Sequence, residues 1–386
     1  MAARVISPAL VLLLAATAAA CPFCTAVKPS IAERIEQGAQ AALVEVAGTT
    51  ESETRFVVRQ PLTTNDKGIG AKTVGGKRAT DQTLTIPTRD LSGACRAGQL
   101  ALLLATRDST TERLSWEVLP LDEVAYAYVA RAPSRRLPAV ERLPYFARFL
   151  ENANALVAED AYLEFGAASF DQVAQVADRL PMASLRRWIA DPRIPEARQG
   201  FYGLALGLAK TGADRQANRA VLQKRVDASA DDFRAGFDGV LGGYLLLAGR
   251  AGLAHVEMTL LSNAKAPVGD VRHAMTALRF MHEFGAEVIS AGDISRAMRK
   301  MLRRPELAAA AIVDLARWQD WAALPEVTAL FGKDQYADAT TSRAIVGYLS
   351  VCPLPQAAEA LAQLRRADPE RVREAERAGL LLLPGQ

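Results

Sequence analysis

Ala132-Pro133-Ser134-Arg135-Arg136-Leu137-Pro138 is where this chain changes character. Its two prolines break regular structure, and the spacing of apolar residues differs on either side, as at a boundary between domains. Upstream, short β-branched or aromatic-rich runs at 42–46, 55–58, 83–86, 100–104, 114–118 and 124–129 are separated by turn residues and predict strands. Downstream, apolar residues recur at three and four and predict helices. The expected fold class is α+β and multidomain: a small N-terminal β-barrel, then an all-α helical array.

In the strand-rich part, Ser30 is an N-cap candidate with Glu33 at capping-box spacing, so a short helix presenting Ile31 and Ile35 on one face is expected before the first strand. The glycine- and lysine-rich run from Lys67 to Arg78 fails as a phosphate loop. With Gly76-Lys77 in register, the first glycine is replaced by Ala71 and the hydroxyl residue by Arg78, and no helix pattern follows. It reads as a cationic hairpin loop.

Beyond Pro138 the stripes are regular. Phe146, Phe149, Leu150, Ala153, Leu156 and Val157 form one; Phe201, Leu204, Ala205 and Leu208 another; Phe233, Phe237, Val240, Leu241, Tyr244 and Leu245 a third. Leu307, Ala311, Leu315 and Trp318 follow, then Val327, Leu330 and Phe331, then Ile345, Tyr348 and Leu349, then Ala358, Leu361 and Leu364. Gly166, Pro181, Asp191-Pro192, Thr211-Gly212, Gly285, Pro305, Pro353 and Asp368-Pro369 punctuate them, and Ser169 with Gln172 makes a capping box. Each helical hairpin can bury its stripe only against a neighbour, so an array is expected, with residues 380–383 folded back as a cap.

At the other end, Arg4, an apolar core over residues 9–16 and Ala18-Ala19-Ala20 have the form of a secretion signal cleaved before Cys21. That core is too short for a membrane span and no later segment is expected to supply one, so the mature chain is expected to be soluble and secreted or periplasmic. Lipid anchorage through Cys21 is the less favoured alternative, since Ala18 stands where such signals prefer leucine. The division is then a signal peptide over 1–20, a barrel over 21–131, a linker over 132–138 and a helical domain over 139–386.

The Cys-rich start at Cys21-Pro22-Phe23-Cys24, the short helix, the strands, and Cys95 in the Gly93-Ala94-Cys95-Arg96-Ala97-Gly98 turn before the apolar strand at 100–104 together resemble the netrin-like modules, OB-type barrels found in tissue inhibitors of metalloproteinases. The resemblance covers about residues 21–131. It implies a tie between an N-terminal cysteine, Cys24, and Cys95, and a protease-inhibiting α-amino group on Cys21. The helical half resembles degenerate HEAT-type repeats in architecture.

The chain carries 46 basic and 43 acidic residues, a formal charge of +3, which argues against a dedicated nucleic-acid binder. Cys21 and Cys24 are candidates for a structural disulfide, for thiol redox chemistry, or for metal or lipid attachment, with the first favoured in an oxidising compartment. Cys352 reads as a buried thiol. His255, His273 and His282 lack metal-ligand spacing: the position four after His282 is Ala286. No Gly-x-Ser-x-Gly occurs. Asp160 and Glu164 share a helical face beside an aromatic pair, and could hold a cation; the favoured reading has Asp160 capping a helix and Glu164 facing a base such as Arg187.

No catalytic residue, cofactor or metal site is assigned. The expected function is that of an exported, non-catalytic binding or scaffold protein holding a partner protein or cell-surface component, through barrel loops and the concave helical surface. A thiol-disulfide redox protein using Cys21 and Cys24 and a netrin-like protease inhibitor are the alternatives.

Overall fold

The computed structural model describes residues 23, 28–63, 73–74, 77–78, 82–108, 110–111, 113–228 and 234–379. Cys21, Cys24, most of the cationic loop and residues 380–383 lie outside them. Helix α1 (Ile31–Glu36) leads into β1 (Gln40–Thr49), β2 (Glu53–Pro61), a small hairpin of β3 (Thr73–Val74) and β4 (Lys77–Arg78), then β5 (Thr83–Pro87), β6 (Leu91–Ser92), β7 (Leu100–Arg107) and β8 (Leu114–Pro120).

Six strands form one sheet in the order β5-β2-β1-β7-β8-β6. All its pairings are antiparallel except β6 with β8. The sheet is curled and open, a half-barrel where a closed barrel was expected. Its edges β5 and β6 are consecutive in sequence and joined only by the 3₁₀ turn Thr88–Asp90, so the curl brings their ends within about 13 Å of each other. A covalent turn bridges the gap that ladder hydrogen bonds would close in a full barrel.

The central strands explain why 42–46 and 100–104 read as nearly continuous apolar runs: both of their faces are buried. Ala42, Val44, Val46, Ala101, Leu103 and Ala105 turn inward with Phe56, Val58 and Ile86, while Ala41, Leu43, Leu102 and Leu104 face the helices and join their core.

Residues 124–129, expected as a strand, are helical in α2 (Glu123–Arg131). Asp122 accepts the Ala125 N–H and starts the helix, and the buried positions Ala125, Tyr128 and Val129 follow the helical rather than the alternating period. The remaining helices are α3 (Ala139–Ala147), α4 (Ala155–Gly166), α5 (Phe170–Gln175), α6 (Met182–Trp188), α7 (Glu196–Gly207), α8 (Gly212–Asp227), α9 (Phe237–Val256), α10 (Val268–Phe284), α11 (Ala291–Arg299), α12 (Pro305–Arg317), α13 (Leu324–Thr328), α14 (Ala339–Val351), α15 (Pro355–Ala367) and α16 (Pro369–Gly379). The Ser169–Gln172 capping box forms in full at α5. In α15 the buried stripe is Ala357 and Leu361, one residue earlier at its start than the expected Ala358.

In the array α10 packs on α9, α12 on α10, α14 on α12 and α16 on α14. Its tightest seam is between α7 and α9. A methyl group on Gly203 would stand 2.6 Å from the Val240 Cα, one on Gly207 2.5 Å from the Gly243 Cα, and one on Gly243 2.7 Å from the Gly203 carbonyl carbon. The two backbones touch because Gly243 faces Gly203 and Gly207, and because Gly203 leaves room for the Val240 backbone.

Helix α9 corrects a second expectation. With the π-helical turn that continues it, Phe237–Leu261 spans 25 residues at a mean hydropathy of 1.2, long and apolar enough to cross a membrane. Here its apolar residues pack against α7, α8 and α10, and the helix kinks at Gly249, where φ is 57°. A core helix surrounded by other helices is apolar all round, as a membrane span is, which is why the two share a composition.

Phe23 sits at the same seam. It is 6% exposed, its ring centroid lies 4.9 Å from that of Phe280, and it lies over Gly242. Phe23, one of the two residues between Cys21 and Cys24, is therefore seated on the helical array. Cys95 is a free thiol 3.9 Å from the Thr49 hydroxyl at the end of β1. Cys24, the partner that the netrin-like resemblance implied for Cys95, lies outside the described residues.

Candidate functional site

The polar groups with the greatest electrostatic stake lie where α1, α2, α3 and α4 meet beneath the half-barrel. Asp160 and Glu164 are one turn apart on α4 and are 7% and 0% exposed. Each of their four carboxylate oxygens has a donor from elsewhere in the chain. The Ile31 N–H donates to Asp160 Oδ1 at 2.7 Å and the Tyr128 hydroxyl to Oδ2 at 2.7 Å. Glu164 Oε1 accepts from the Ser30 hydroxyl, and its Oε2 from the Arg142 guanidinium, with Arg135 Nη1 3.5 Å away.

Ser30 works in two directions, since its oxygen also accepts the Glu33 N–H and caps α1. Asp160 does cap a helix, as expected, but that helix is α1 rather than its own. Glu164 does not face Arg187, which donates to Ser184 instead. Its partner is Arg142, a buried arginine inside α3 that no local spacing connects to α4. Arg135, in the Ala132–Pro138 segment, also pairs with Glu36 at 2.8 Å, so the proline-rich break is fastened to α1.

Burial pushes the Asp160 carboxyl up to about 6 from its ordinary 3.8; the Ile31 and Tyr128 hydrogen bonds oppose this, and the Glu164 charge adds to it. Burial is also the main cause that raises the Tyr128 hydroxyl, and the Asp160 charge adds to it. The folded protein thus holds the Asp160 proton more tightly than the unfolded chain. The stability gained is complete below about pH 3.8 and lost as pH rises through about 6. Asp160→Asn, which cannot titrate, is expected to gain on the wild type by up to about 3 kcal/mol between pH 4 and pH 7. Urea unfolding at the two pH values measures this, and a difference that does not change with pH would contradict it.

Outside this cluster lies a cleft of about 400 Å³ walled by Ile31, Ile35, Leu62 and Phe146, with Arg135 and Asp160 on its border. Among the described residues no group of three or more His, Cys, Asp or Glu is placed to hold a metal ion. Asp160 and Glu164 spend their oxygens on protein donors, so the cation-holding alternative has no free ligand atoms there. His255 pairs with Asp227 at 2.6 Å, His273 lies 3.7 Å from Asp238, and His282 stacks on Trp318 with centroids 4.3 Å apart. Cys352 is a buried free thiol at the end of α14. Of the sulfur candidates only Cys95 falls in the described residues; Cys21 and Cys24 do not. Arg142 was missed in the sequence, although an arginine in the apolar run Val140 to Phe146 is the signal that could have marked it.

The fold and this junction define an α+β protein with a curled half-barrel and a helical array, in which α1 and α2, the helices on either side of the sheet in sequence, are fastened to α4 through buried carboxylates. No protein-family model matches the chain, and no curated protein matches it in sequence.

Proposed function

We propose that this is an exported, non-catalytic binding protein that holds a partner protein or cell-surface component with the loops of the half-barrel and the surface of its helical array. The observation that supports this most directly is the side-by-side row of α10, α12, α14 and α16, since stacked helices present an extended surface suited to binding. The His282–Trp318 and Trp321–Tyr348 ring contacts align the C-terminal ends of α10, α12 and α14. Val288 just after α10, Val351 at the last position of α14 and Leu354 just after it are 40%, 51% and 38% exposed. The buried carboxylates lend support too, because their oxygens are engaged in joining elements rather than free to react.

Immobilised mature protein is expected to retain a partner from the exported fraction of its cells, and a Val288→Asp, Val351→Asp, Leu354→Asp variant to lose it. Retention by neither protein, or equally by both, would discard this reading.

A further inference from the structure

We propose that the groove between α2 and the last turn of α3 docks an acidic segment of a partner protein: an extended stretch with a carboxylate and an apolar side chain two or three residues apart. The inference rests on the binding function above only in taking the partner to be a protein.

On α2, Val124, Ala127 and Arg131 fall at helical spacing on one face, with Tyr128 between them as the floor. On α3, Tyr145 and the residues that follow it, Arg148 and Phe149, face them across a groove of about 470 Å³. Tyr128, Tyr145 and Phe149 pack ring against ring with centroids 5.0 to 5.7 Å apart, and the Tyr145 hydroxyl donates to the Tyr128 carbonyl at 2.6 Å, so the floor is rigid. Arg148 lies over the Tyr145 and Phe149 rings at 5.1 and 5.8 Å. Val124 is 51% exposed at the other end.

The charge is what selects the occupant. Arg131 and Arg148 are exposed, and neither guanidinium has an ion-pair or hydrogen-bond partner among the described residues. Burial raises the Tyr145 hydroxyl while Arg148 and Arg131 both oppose it, which places the two positive charges around one ring. Glu123 also lines the groove, next to Val124 and two helical turns from Arg131, so the positive charge belongs to the part around Tyr145. There two guanidinium groups without ion-pair partners, beside an apolar floor, suit a carboxylate carried on an apolar body. From Val124 to Arg131 the helix rises about 10 Å, which an extended chain spans in roughly three residues. An acid at the arginine end therefore places a neighbouring aliphatic side chain over Ala127 and Val124.

The test uses the full mature chain and a fluorescein-labelled dodecapeptide of Glu-Ala-Leu repeats. Its controls are the same peptide with Gln for Glu, and polygalacturonate as a polysaccharide acid. The Glu peptide is expected to bind and the Gln peptide not. Arg131→Glu with Arg148→Glu should weaken binding by about tenfold or more, since each reversal replaces attraction by repulsion. Val124→Asp should weaken it as well, and the Val288→Asp, Val351→Asp, Leu354→Asp variant should bind as the wild type does. Arg131→Gln with Arg148→Gln gives a milder pair whose circular dichroism and thermal midpoint should match the wild type. Equal binding of the Glu and Gln peptides, no effect of either arginine pair, or capture of polygalacturonate without the peptide would overturn the inference. A partner still retained by the helical edge in that case would leave the broader binding function standing.

Discussion

Replacing Gly243 by alanine is expected to destabilise the protein by about 3 kcal/mol, although in a helix alanine is favoured over glycine by roughly 1 kcal/mol. The local and tertiary effects have opposite signs, so the experiment separates them. Gly243 is inside α9, and a β-carbon there would press on the Gly203 carbonyl, 2.7 Å from its carbon. Backbone cannot rotate away as a side chain does, so α7 and α9 must part, loosening Phe201, Leu204, Val240 and Leu241, all of which are buried. Gly347 in α14 is the control, because a methyl group there meets nothing within 4 Å. Gly347→Ala is expected to stabilise by about 0.5–1 kcal/mol. Chemical denaturation of both variants and the wild type measures the contrast, and a Gly243→Ala protein as stable as Gly347→Ala would refute the close seam.

Glu164→Ala is expected to cost about 3–5 kcal/mol, the range for removing one member of a buried ion pair. Glu164 is fully buried and the Arg142 side chain is 5% exposed. Without the carboxylate, the Arg142 charge is stranded away from water, the Ser30 hydroxyl loses its acceptor and Arg135 loses a nearby counter-charge. Most of the loss should come from the stranded arginine, since desolvating an unpaired charge costs more than the pair itself contributes. The double variant Glu164→Ala, Arg142→Met should therefore recover much of the stability. Thermal unfolding of the single and double variants decides the matter: equal losses in both would place the cost in packing rather than charge.

These two sites differ in how far the sequence announced them. Asp160 and Glu164 stood out as acids one helical turn apart on an apolar element, and Ser30 as a cap, because those signals are local. That Ser30, Ile31, Tyr128 and Arg142 converge on the two acids was not legible, since they come from three different elements, α1, α2 and α3, and sequence spacing carries no record of which elements meet. The Gly203–Gly243 seam was missed for a related reason: single glycines in two helices look like weak helix positions until the helices are laid against each other. Residues 124–129 went wrong in another way. Val124, Tyr126, Tyr128 and Val129 have the β-branched and aromatic character of a strand, but Asp122 supplies a cap and the burial of Ala125, Tyr128 and Val129 against the array selects the helix.

By itself, the sequence determined that strands come first and helices after, most strand positions, the punctuation of the helical half and the caps at Ser30 and Ser169, because all of these depend on interactions within a few residues along the chain; the changeover itself comes earlier than read, at α2. Only the tertiary structure decided that the half-barrel stays open, that Glu164 pairs with Arg142 and not Arg187, that Phe23 seats on the helical array, and that Arg131 and Arg148 flank an aromatic groove with no ion-pair partner among the described residues. Those outcomes depend on which distant surfaces come into contact, and that is settled by burial over the whole fold.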